Sequence, residues 1–160
     1  MPATEAWRAL TAGERALAAA IFGDAIDCDA VRIHGTRWWP LQPRTVAMAP
    51  MGHLHIPRDG PLWSDDFAAA DPGLQGLFLH ELTHVWQAQI WGRWFLPLHR
   101  HPFCRYGYAI VPGRPFARYG LEQQGEIVRH VHLLRSGRRF PGAPPLAQLE
   151  SILPFRPAPR

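Results

Sequence analysis

The residues best suited to carry chemistry are His80, Glu81 and His84, which form the pattern H-E-x-x-H within FLHELTHVWQ. On a helix, residues four apart share a face, so both imidazoles can reach one ion. A catalytic zinc takes a third protein ligand and keeps one position for water. Glu81 is placed to act as the base on that water. The pattern predicts a zinc site with Glu81 as the catalytic residue, and the alternative is a buried helix that carries two histidines.

A third ligand has to come from elsewhere in the chain. In the extended pattern H-E-x-x-H-x-x-G-x-x-H, Gly and His would stand where this chain has Gln87 and Ile90, which excludes that class. The segment YGLEQQGEIVRHV offers Glu122 and Glu126, which are four apart and share a helix face. One carboxylate can bind the metal while the other orients a ligand histidine. Both can also be ordinary solvated helix carboxylates.

HELTHVWQ followed by E-x-x-x-E resembles the gluzincins, zinc metallopeptidases whose third ligand is a glutamate. In that group the second motif is commonly E-x-x-x-D, with the first acid on the metal and the second supporting a histidine. The resemblance implies one Zn²⁺ per chain, with Glu122 as ligand and Glu126 as the supporting acid. Glu126 is one methylene longer than the usual Asp, so the swapped assignment stays open.

FLHELTHVWQ and YGLEQQGEIV also resemble small bacterial proteins described as Vgr-related. These are minimal metallopeptidase-like domains associated with type VI secretion components. The resemblance covers most of the chain, from IFGDAIDCDAVRI through the glutamate-bearing helix. It implies a zincin-like fold and hydrolase activity, with a peptide or protein substrate and secretion-system components as partners.

Other polar residues are weaker candidates. Tyr106 and Tyr108, or His99 and His101, lie between the two ligand segments, where a phenol or imidazole can stabilise an oxyanion. The sequence does not choose among the four, and we name the two tyrosines as candidates for oxyanion or substrate contact. Aromatic packing is the alternative. Two further sets are predicted to have no functional role. His53 and His55 are interpreted as surface histidines, and five tryptophans are interpreted as core and helix-packing residues: Trp38, Trp39, Trp86, Trp91 and Trp94.

The elements that must position these residues indicate an α+β fold with a small mixed or antiparallel sheet. A helix is predicted over residues 4–22, bent near 11–13, followed by strands at 31–33, 44–49 and 53–56. Asp71 and Pro72 begin the H-E-x-x-H helix, which is predicted to end at Trp91 before Gly92. A long irregular segment follows over 93–117, with a short strand at most at 105–111.

The glutamate-bearing helix is predicted to begin at Pro115 or Tyr119 and to end at Arg135, before Gly137. A proline-rich tail follows from about residue 138, with a short helix at 146–153. A length of 160 residues fits a single zincin-like domain over 1–160.

Composition narrows the function classes. The net charge is +4, but the 17 basic residues are all arginine and are spread along the chain, so no nucleic-acid partner is expected. No apolar run approaches the roughly 18 residues of a membrane span, and no membrane partner is expected. The start of the chain lacks a signal-peptide pattern, which favours cytoplasmic synthesis and leaves signal-independent export open. Cys28 and Cys104 match no zinc or redox spacing.

The leading functional hypothesis is a zinc-dependent hydrolase, specifically a metallopeptidase. The retained Glu81 favours it, because a purely structural metal site needs no carboxylate there. The alternative is a non-catalytic, zinc-stabilised binding or adaptor module of a bacterial secretion system. The small size of the domain favours that alternative, because little chain remains to build the second wall of a cleft.

Overall fold

The computed structural model describes residues 7–157, and every structural statement below refers to that part of the chain. It contains five α-helices and three short strands, so the α+β prediction is confirmed. The strands are β1 (Trp7–Arg8), β2 (Ile33–His34) and β3 (Leu54–His55). The helices are α1 (Ala12–Phe22), α2 (Pro72–Trp91), α3 (Phe95–His99), α4 (Leu121–Arg135) and α5 (Leu146–Ile152). Three 3₁₀ turns lie at Cys28–Ala30, Phe67–Ala69 and Phe116–Arg118.

Helix α2 begins and ends where its local sequence dictates. The Asp71 side chain accepts a hydrogen bond from the Gly73 N–H at 2.8 Å, and Pro72 occupies the first helical position. Gly92 ends the helix with φ of 93°, a conformation that a residue with a side chain rarely adopts. The predicted bounds are confirmed. Residues 78–88 are all buried, so the H-E-x-x-H turn runs through the core.

The sheet is mixed and small. Strand β1 pairs antiparallel with β2, and β2 pairs parallel with β3, with Ile33 opposite Leu54 and His34 opposite His55. Ile33 and Leu54 are fully buried, so the opposite face carries the histidines. The strand predicted at 44–49 is wrong: only Met48 pairs there, in a single bridge with His55.

The predicted helix over 4–22 is wrong in its first part. Residues 4–6 lie outside the described chain, and Trp7–Arg8 form a strand. Thr11 starts a new helix, because its hydroxyl accepts from the Glu14 N–H while the Glu14 carboxylate accepts from the Thr11 N–H. The Arg8 guanidinium makes two 2.8 Å hydrogen bonds to Glu14 and anchors the preceding strand. This local capping outweighs the apolar periodicity of residues 4–10.

Helices α2 and α4 pack against each other over the longest interface in the fold, with α1 and α5 alongside. The centre of the core consists of fully buried side chains from all of these elements: Phe22, Phe67, Phe78, Leu79, Leu82, Ile127, Val128 and Leu149. Phe155 near the end of the chain also packs inward, with its ring 4.8 Å from Phe22 and 4.9 Å from Trp86. Among residues 7–157, no helix is long and apolar enough to cross a membrane.

The segment between α2 and α4 is less irregular than predicted, because it contains α3 and a 3₁₀ turn, and it has no strand at 105–111. Helix α4 begins at Leu121, two residues after the later of the two predicted starts. The tryptophan prediction is right for Trp86, which is buried, and for Trp91, whose ring packs 4.5 Å from that of Phe95 in α3 although the side chain is 43% exposed. It is wrong for three others, which are 42–57% exposed: Trp38, Trp39 and Trp94.

Candidate metal centre

Three side chains from α2 and α4 converge on one point. The Nε2 atoms of His80 and His84 lie 3.2 Å apart, and Glu122 Oε2 lies 3.1 Å from the first and 3.2 Å from the second. All three side chains are buried. Within residues 7–157 they form the only group of three His, Cys, Asp or Glu residues whose potential ligand atoms all lie within 4.8 Å of one another.

The other ring nitrogen of each histidine has its own hydrogen-bond acceptor. His80 Nδ1 lies 2.9 Å from Glu126 Oε1, and His84 Nδ1 lies 2.8 Å from Gln87 Oε1. The Gln87 amide nitrogen donates to the Leu121 carbonyl and to Gln124 Oε1, which turns its oxygen towards His84. A neutral imidazole that donates from Nδ1 to this acceptor turns the lone pair of Nε2 towards Glu122.

This arrangement fits a zinc ion. Ligands about 2.0–2.1 Å from a tetrahedral ion lie roughly 3.3 Å apart, close to the 3.1–3.2 Å separations in this centre. Two imidazole nitrogens and one carboxylate oxygen are also a donor set that zinc accepts. With both protons on Nδ1, three acceptor atoms face one another, and a cation between them removes the conflict.

The pKa values of His80 and Glu122 also indicate that the centre favours a positive charge between its side chains. Burial alone would lower the pKa of His80, but hydrogen bonds with Glu122 and Glu126 outweigh it and raise the pKa to about 9. Burial alone would raise the pKa of Glu122, but the imidazoles of His80 and His84, when they carry a proton on Nε2, hold it well below its usual range. The centre thus stabilises a carboxylate with a cation beside it.

Glu81 follows the first histidine on α2 and is 6% exposed. Burial raises its pKa, and the nearby imidazoles of His84 and His80 only partly oppose the shift. A carboxyl group with a raised pKa can take a proton and return it during one reaction cycle. The structure therefore places an acid–base group next to the three converging side chains.

Arg100 and Tyr106 complete the surroundings of Glu122. Arg100 Nε lies 2.9 Å from Glu122 Oε1 as an ion pair, but without the alignment of a hydrogen bond. The same guanidinium donates from Nη2 to the Tyr106 hydroxyl at 3.3 Å, and the Tyr106 ring lies 6.1 Å from the His80 ring. A cation and a phenol therefore lie beside the centre.

The other three oxyanion candidates lie elsewhere. The Tyr108 hydroxyl is 2.7 Å from His130 Nδ1, and His130 Nε2 is 3.5 Å from Glu126 Oε2, so Tyr108 is three contacts away from the ligand atoms. His99 Nδ1 bonds to the carbonyl of residue 95, and His101 Nδ1 accepts from the N–H of residue 103. Of the four candidates, the structure brings Tyr106 alone to the centre.

A cavity of about 220 Å³ opens beside His84. Apart from His84 and Arg100, its walls are apolar. They come from chain segments that precede α2 and from the segment that follows it: Trp38, Met48, Ala49, Pro50, Leu96 and Pro97. The cavity gives a bound molecule access to the histidine and to the guanidinium together.

Sequence reasoning missed three residues of the centre. Gln87 stands three residues after His84, a spacing that brings helical side chains together and could have identified it. Gly125 stands inside α4, and a Cβ there would lie 2.8–2.9 Å from the His80 ring atoms, so only glycine allows the helices to approach so closely. A glycine three residues after Glu122 was a usable signal of that contact. Arg100 gave no signal, because it lies in an irregular segment.

The histidines of the sheet form a separate cluster. His53 and His55 are half-buried, so the surface prediction holds in part, and His34 from β2 joins them. The rings of His34 and His55 stack at 4.5 Å with an interplanar angle of 5°. Lone pairs in two parallel ring planes do not meet at one point, so this geometry does not hold an ion.

Taken together, the fold and the centre define an α+β domain with an H-E-x-x-H helix paired to an E-x-x-x-E helix. Comparison with solved structures finds the effector domain of Pseudomonas aeruginosa VgrG2b, with a TM-score of 0.70 and 34% identity. The match covers 94% of this chain and 83% of that structure. The chain belongs to the family of the VgrG2b effector domain.

Among characterised sequences, the type VI secretion system spike protein VgrG2b of Pseudomonas aeruginosa is 38% identical over 139 residues. This match covers 82% of the chain but 13% of the spike protein, so the chain corresponds to a small part of that relative. No protein-family model matches the chain.

Proposed function

We propose that this chain is an effector domain that works with a type VI secretion apparatus, and that its metal centre is a zinc-dependent peptidase site. Membership of the VgrG2b effector-domain family supports the first part. The second part depends on one observation: two imidazole Nε2 atoms and one carboxylate oxygen meet within 3.2 Å, next to a buried glutamate.

In this proposal the protein residues have distinct tasks. His80, His84 and Glu122 hold the ion, while Glu126 and Gln87 fix the ring orientation of the two histidines. Zinc, when bound, supplies Lewis acidity and lowers the pKa of a water molecule to about 7.

Glu81 accepts the proton of the attacking water on its carboxylate and passes it to the leaving amine nitrogen. Its raised pKa suits both steps, because the protonated form is stable enough to persist between them. The Arg100 guanidinium and the Tyr106 hydroxyl place donors where negative charge develops on the substrate oxygen. The zincin-like fold predicted from the sequence is part of this proposal.

The second candidate is a non-catalytic, zinc-stabilised module of the secretion apparatus. The relatives are described as a spike protein and its effector domain, without a reaction, so they support the secretion role more directly than hydrolysis. The two candidates share the metal and differ in the role of Glu81.

Metal content tests the feature that both candidates share. We expect about one zinc per chain after purification without added metal, lost in Glu122→Ala and retained in Glu126→Ala at lower affinity. Loss in Glu126→Ala alone would exchange the roles of the two acids. A folded wild-type protein that binds no zinc would overturn both candidates.

Peptide cleavage by Glu81→Gln separates the two candidates. We expect zinc to stay bound and turnover of a peptide library to fall by at least about 100-fold, because the base on the water is gone. Glu150→Gln, an exposed glutamate on α5, is the matched control and should cleave like the wild type. Zinc-loaded wild type that cleaves no peptide would leave the non-catalytic module. Full activity in Glu81→Gln would instead overturn the role of Glu81 as the base.

A further inference from the structure

The segment of residues 90–106, which we call the 90–106 excursion, exposes an unusual number of large apolar side chains. Within the described chain, eleven large hydrophobic residues are exposed, and six of them lie in these seventeen positions. Their exposed fractions run from 43% to 85%: Ile90, Trp91, Trp94, Leu98, Phe103 and Tyr106. Such clustering marks an interaction surface, since scattered apolar residues need no explanation but a concentrated set does.

The same excursion is positively charged and lacks acidic residues. It contains Arg93, Arg100 and Arg105 with His99 and His101, and no Asp or Glu. Arg93 and Arg105 are exposed, and neither lies within 4.0 Å of a carboxylate in the part of the chain that the structure describes. The partner of this surface therefore has to offer both negative charge and an apolar region.

A second segment across the cavity has the same character. Residues 31–58 contain four arginines and no acid, and they expose Trp38, Trp39 and Leu41. Trp38 lines the cavity beside His84 together with Leu96 and Pro97 of the excursion. The apolar, basic character thus continues from one side of the cavity to the other.

We propose that the 90–106 excursion docks the domain onto the surface of an anionic lipid bilayer. Leu98 and Phe103 are 76% and 85% exposed, so they project from the protein, and a bilayer accepts projecting side chains without needing matched pockets. Tryptophan, tyrosine and arginine favour the headgroup region, where a ring or guanidinium has both apolar and wet surroundings. Unpaired arginines complement anionic headgroups.

The side chains themselves argue against other polyanions. Single-stranded nucleic acid is held by rings on which bases stack, and Ile90 and Leu98 have no ring. An acidic protein would need pockets for Leu98 and Phe103 in a fixed arrangement. The absence of a membrane partner was expected because the sequence has no spanning run, but surface docking needs no spanning helix.

Sedimentation with lipid vesicles tests the proposal on the full chain. Vesicles of phosphatidylcholine, and of phosphatidylcholine mixed with phosphatidylglycerol, are compared at low and high salt. We expect binding to the anionic vesicles only, weakened by high salt. The double variants Leu98→Ser/Phe103→Ser and Arg93→Gln/Arg105→Gln should each weaken partitioning by about tenfold or more.

The matched control is Arg138→Gln/Arg139→Gln, which removes the same charge from an exposed turn outside the excursion and should change partitioning by less than about twofold. Absence of binding to anionic vesicles at low salt would overturn the proposal, as would equal loss in the control. If Leu98→Ser/Phe103→Ser binds anionic vesicles as well as the wild type, the chain is attracted to polyanions in general and the bilayer proposal is wrong. Capture of a polyglutamate peptide without vesicle binding would assign the excursion to an acidic protein. Zinc content does not enter this test, so its outcome is independent of the proposed hydrolysis.

Discussion

At the scale of single residues, the two histidines of the centre have unequal support. His80 donates to a carboxylate, Glu126, whereas His84 donates to the neutral amide of Gln87. A charged acceptor makes an imidazole more basic than a neutral one does, so His80 is the stronger electron donor of the pair. The amide nitrogen of Gln87 in turn donates to two acceptors of α4, the Leu121 carbonyl and Gln124 Oε1, which links the orientation of His84 to the position of that helix.

Substitution of Gln87 by leucine should therefore weaken metal binding without removing a ligand. We expect the zinc affinity of Gln87→Leu to fall about 10–100-fold, because His84 loses the acceptor that fixes its ring. Competition against a chromophoric chelator measures it. Gln89→Leu on the same helix is the control, since Gln89 contacts the exposed Asp27 backbone instead. Equal affinity in Gln87→Leu and wild type would show that the amide has no orienting role.

The sequence was enough to identify the histidines and glutamates of the centre, but not to predict which nitrogen atom each glutamate contacts. The H-E-x-x-H spacing was enough to bring His80 and His84 together, since helical geometry alone does so. The spacing of Glu122 and Glu126 could not assign their partners, because the choice depends on how far α4 slides along α2. The structure puts Glu122 at the Nε2 atoms and Glu126 at Nδ1 of His80.

At the scale of elements, the approach of α4 to α2 depends on Gly125, whose position leaves no space for a Cβ against the His80 ring. We expect Gly125→Ala to lower stability by about 1–3 kcal/mol through overpacking, although alanine favours a helix by about 1 kcal/mol. Zinc affinity should fall with it. Urea unfolding and chelator competition measure the two effects.

Gly76→Ala is the comparison, because a Cβ there meets side-chain atoms of Arg129 and Leu133, the closest at 3.0 Å. These chains can move aside, so we expect a smaller loss of stability and unchanged zinc affinity. A stabilised Gly125→Ala protein would contradict the close approach of the helices at this point.

The start of α1 carries a buried charge that holds two parts of the fold together. The fully buried Glu14 carboxylate accepts from Arg8, from the Thr11 N–H and from the Phe67 N–H. We expect Glu14→Gln to lower the free energy of unfolding by about 2–4 kcal/mol, because the fully buried carboxylate that pairs with the half-buried Arg8 guanidinium is lost. Zinc content should stay unchanged in the fraction that folds. As a control, Glu150→Gln breaks a partly exposed pair with Arg135 and should lower the free energy of unfolding by less than about 1 kcal/mol. A similar loss in both variants would show that the burial of Glu14 adds nothing to the effect.

Elements with strong local signals were predictable, and elements set by tertiary contacts were not. The Asp71 cap and Gly92 fixed both ends of α2. Residues 44–49 have strand-forming side chains, yet a strand also needs a partner along its length, and β3 offers one only at Met48. Helix α3 was missed because Pro97 lies within it, a residue that usually marks a loop.

At the scale of the whole molecule, the three half-buried histidines of the sheet make stability depend on pH. Burial lowers the pKa of His55 to about 4, and it lowers the pKa values of His34 and His53 as well. An unfolded histidine titrates near pH 6.5, so below that pH the unfolded chain binds more protons than the folded one. The stability present above about pH 6.5 is therefore lost progressively as the pH falls towards 4.

Urea unfolding at about pH 7 and about pH 5 should show this loss as a lower midpoint at the acidic pH. His55→Gln should reduce the difference, because glutamine does not titrate, while all other groups stay the same in both proteins. A pH difference of equal size in the variant would show that His55 is not responsible.

The separation of the candidate ligands along the chain would give a bound ion a role in chain topology. His80 and Glu122 are 42 residues apart, and both cysteines of the protein, Cys28 and Cys104, are free thiols. An ion held by both residues would close that segment into a loop, as a disulfide does, and would reduce the conformational entropy of a partly unfolded chain in which it stays bound. A covalent cross-link over a loop of this size contributes on the order of 4 kcal/mol. Unlike a disulfide, such a cross-link would not depend on the redox potential of the surroundings. A chelator, and not a reductant, would open it.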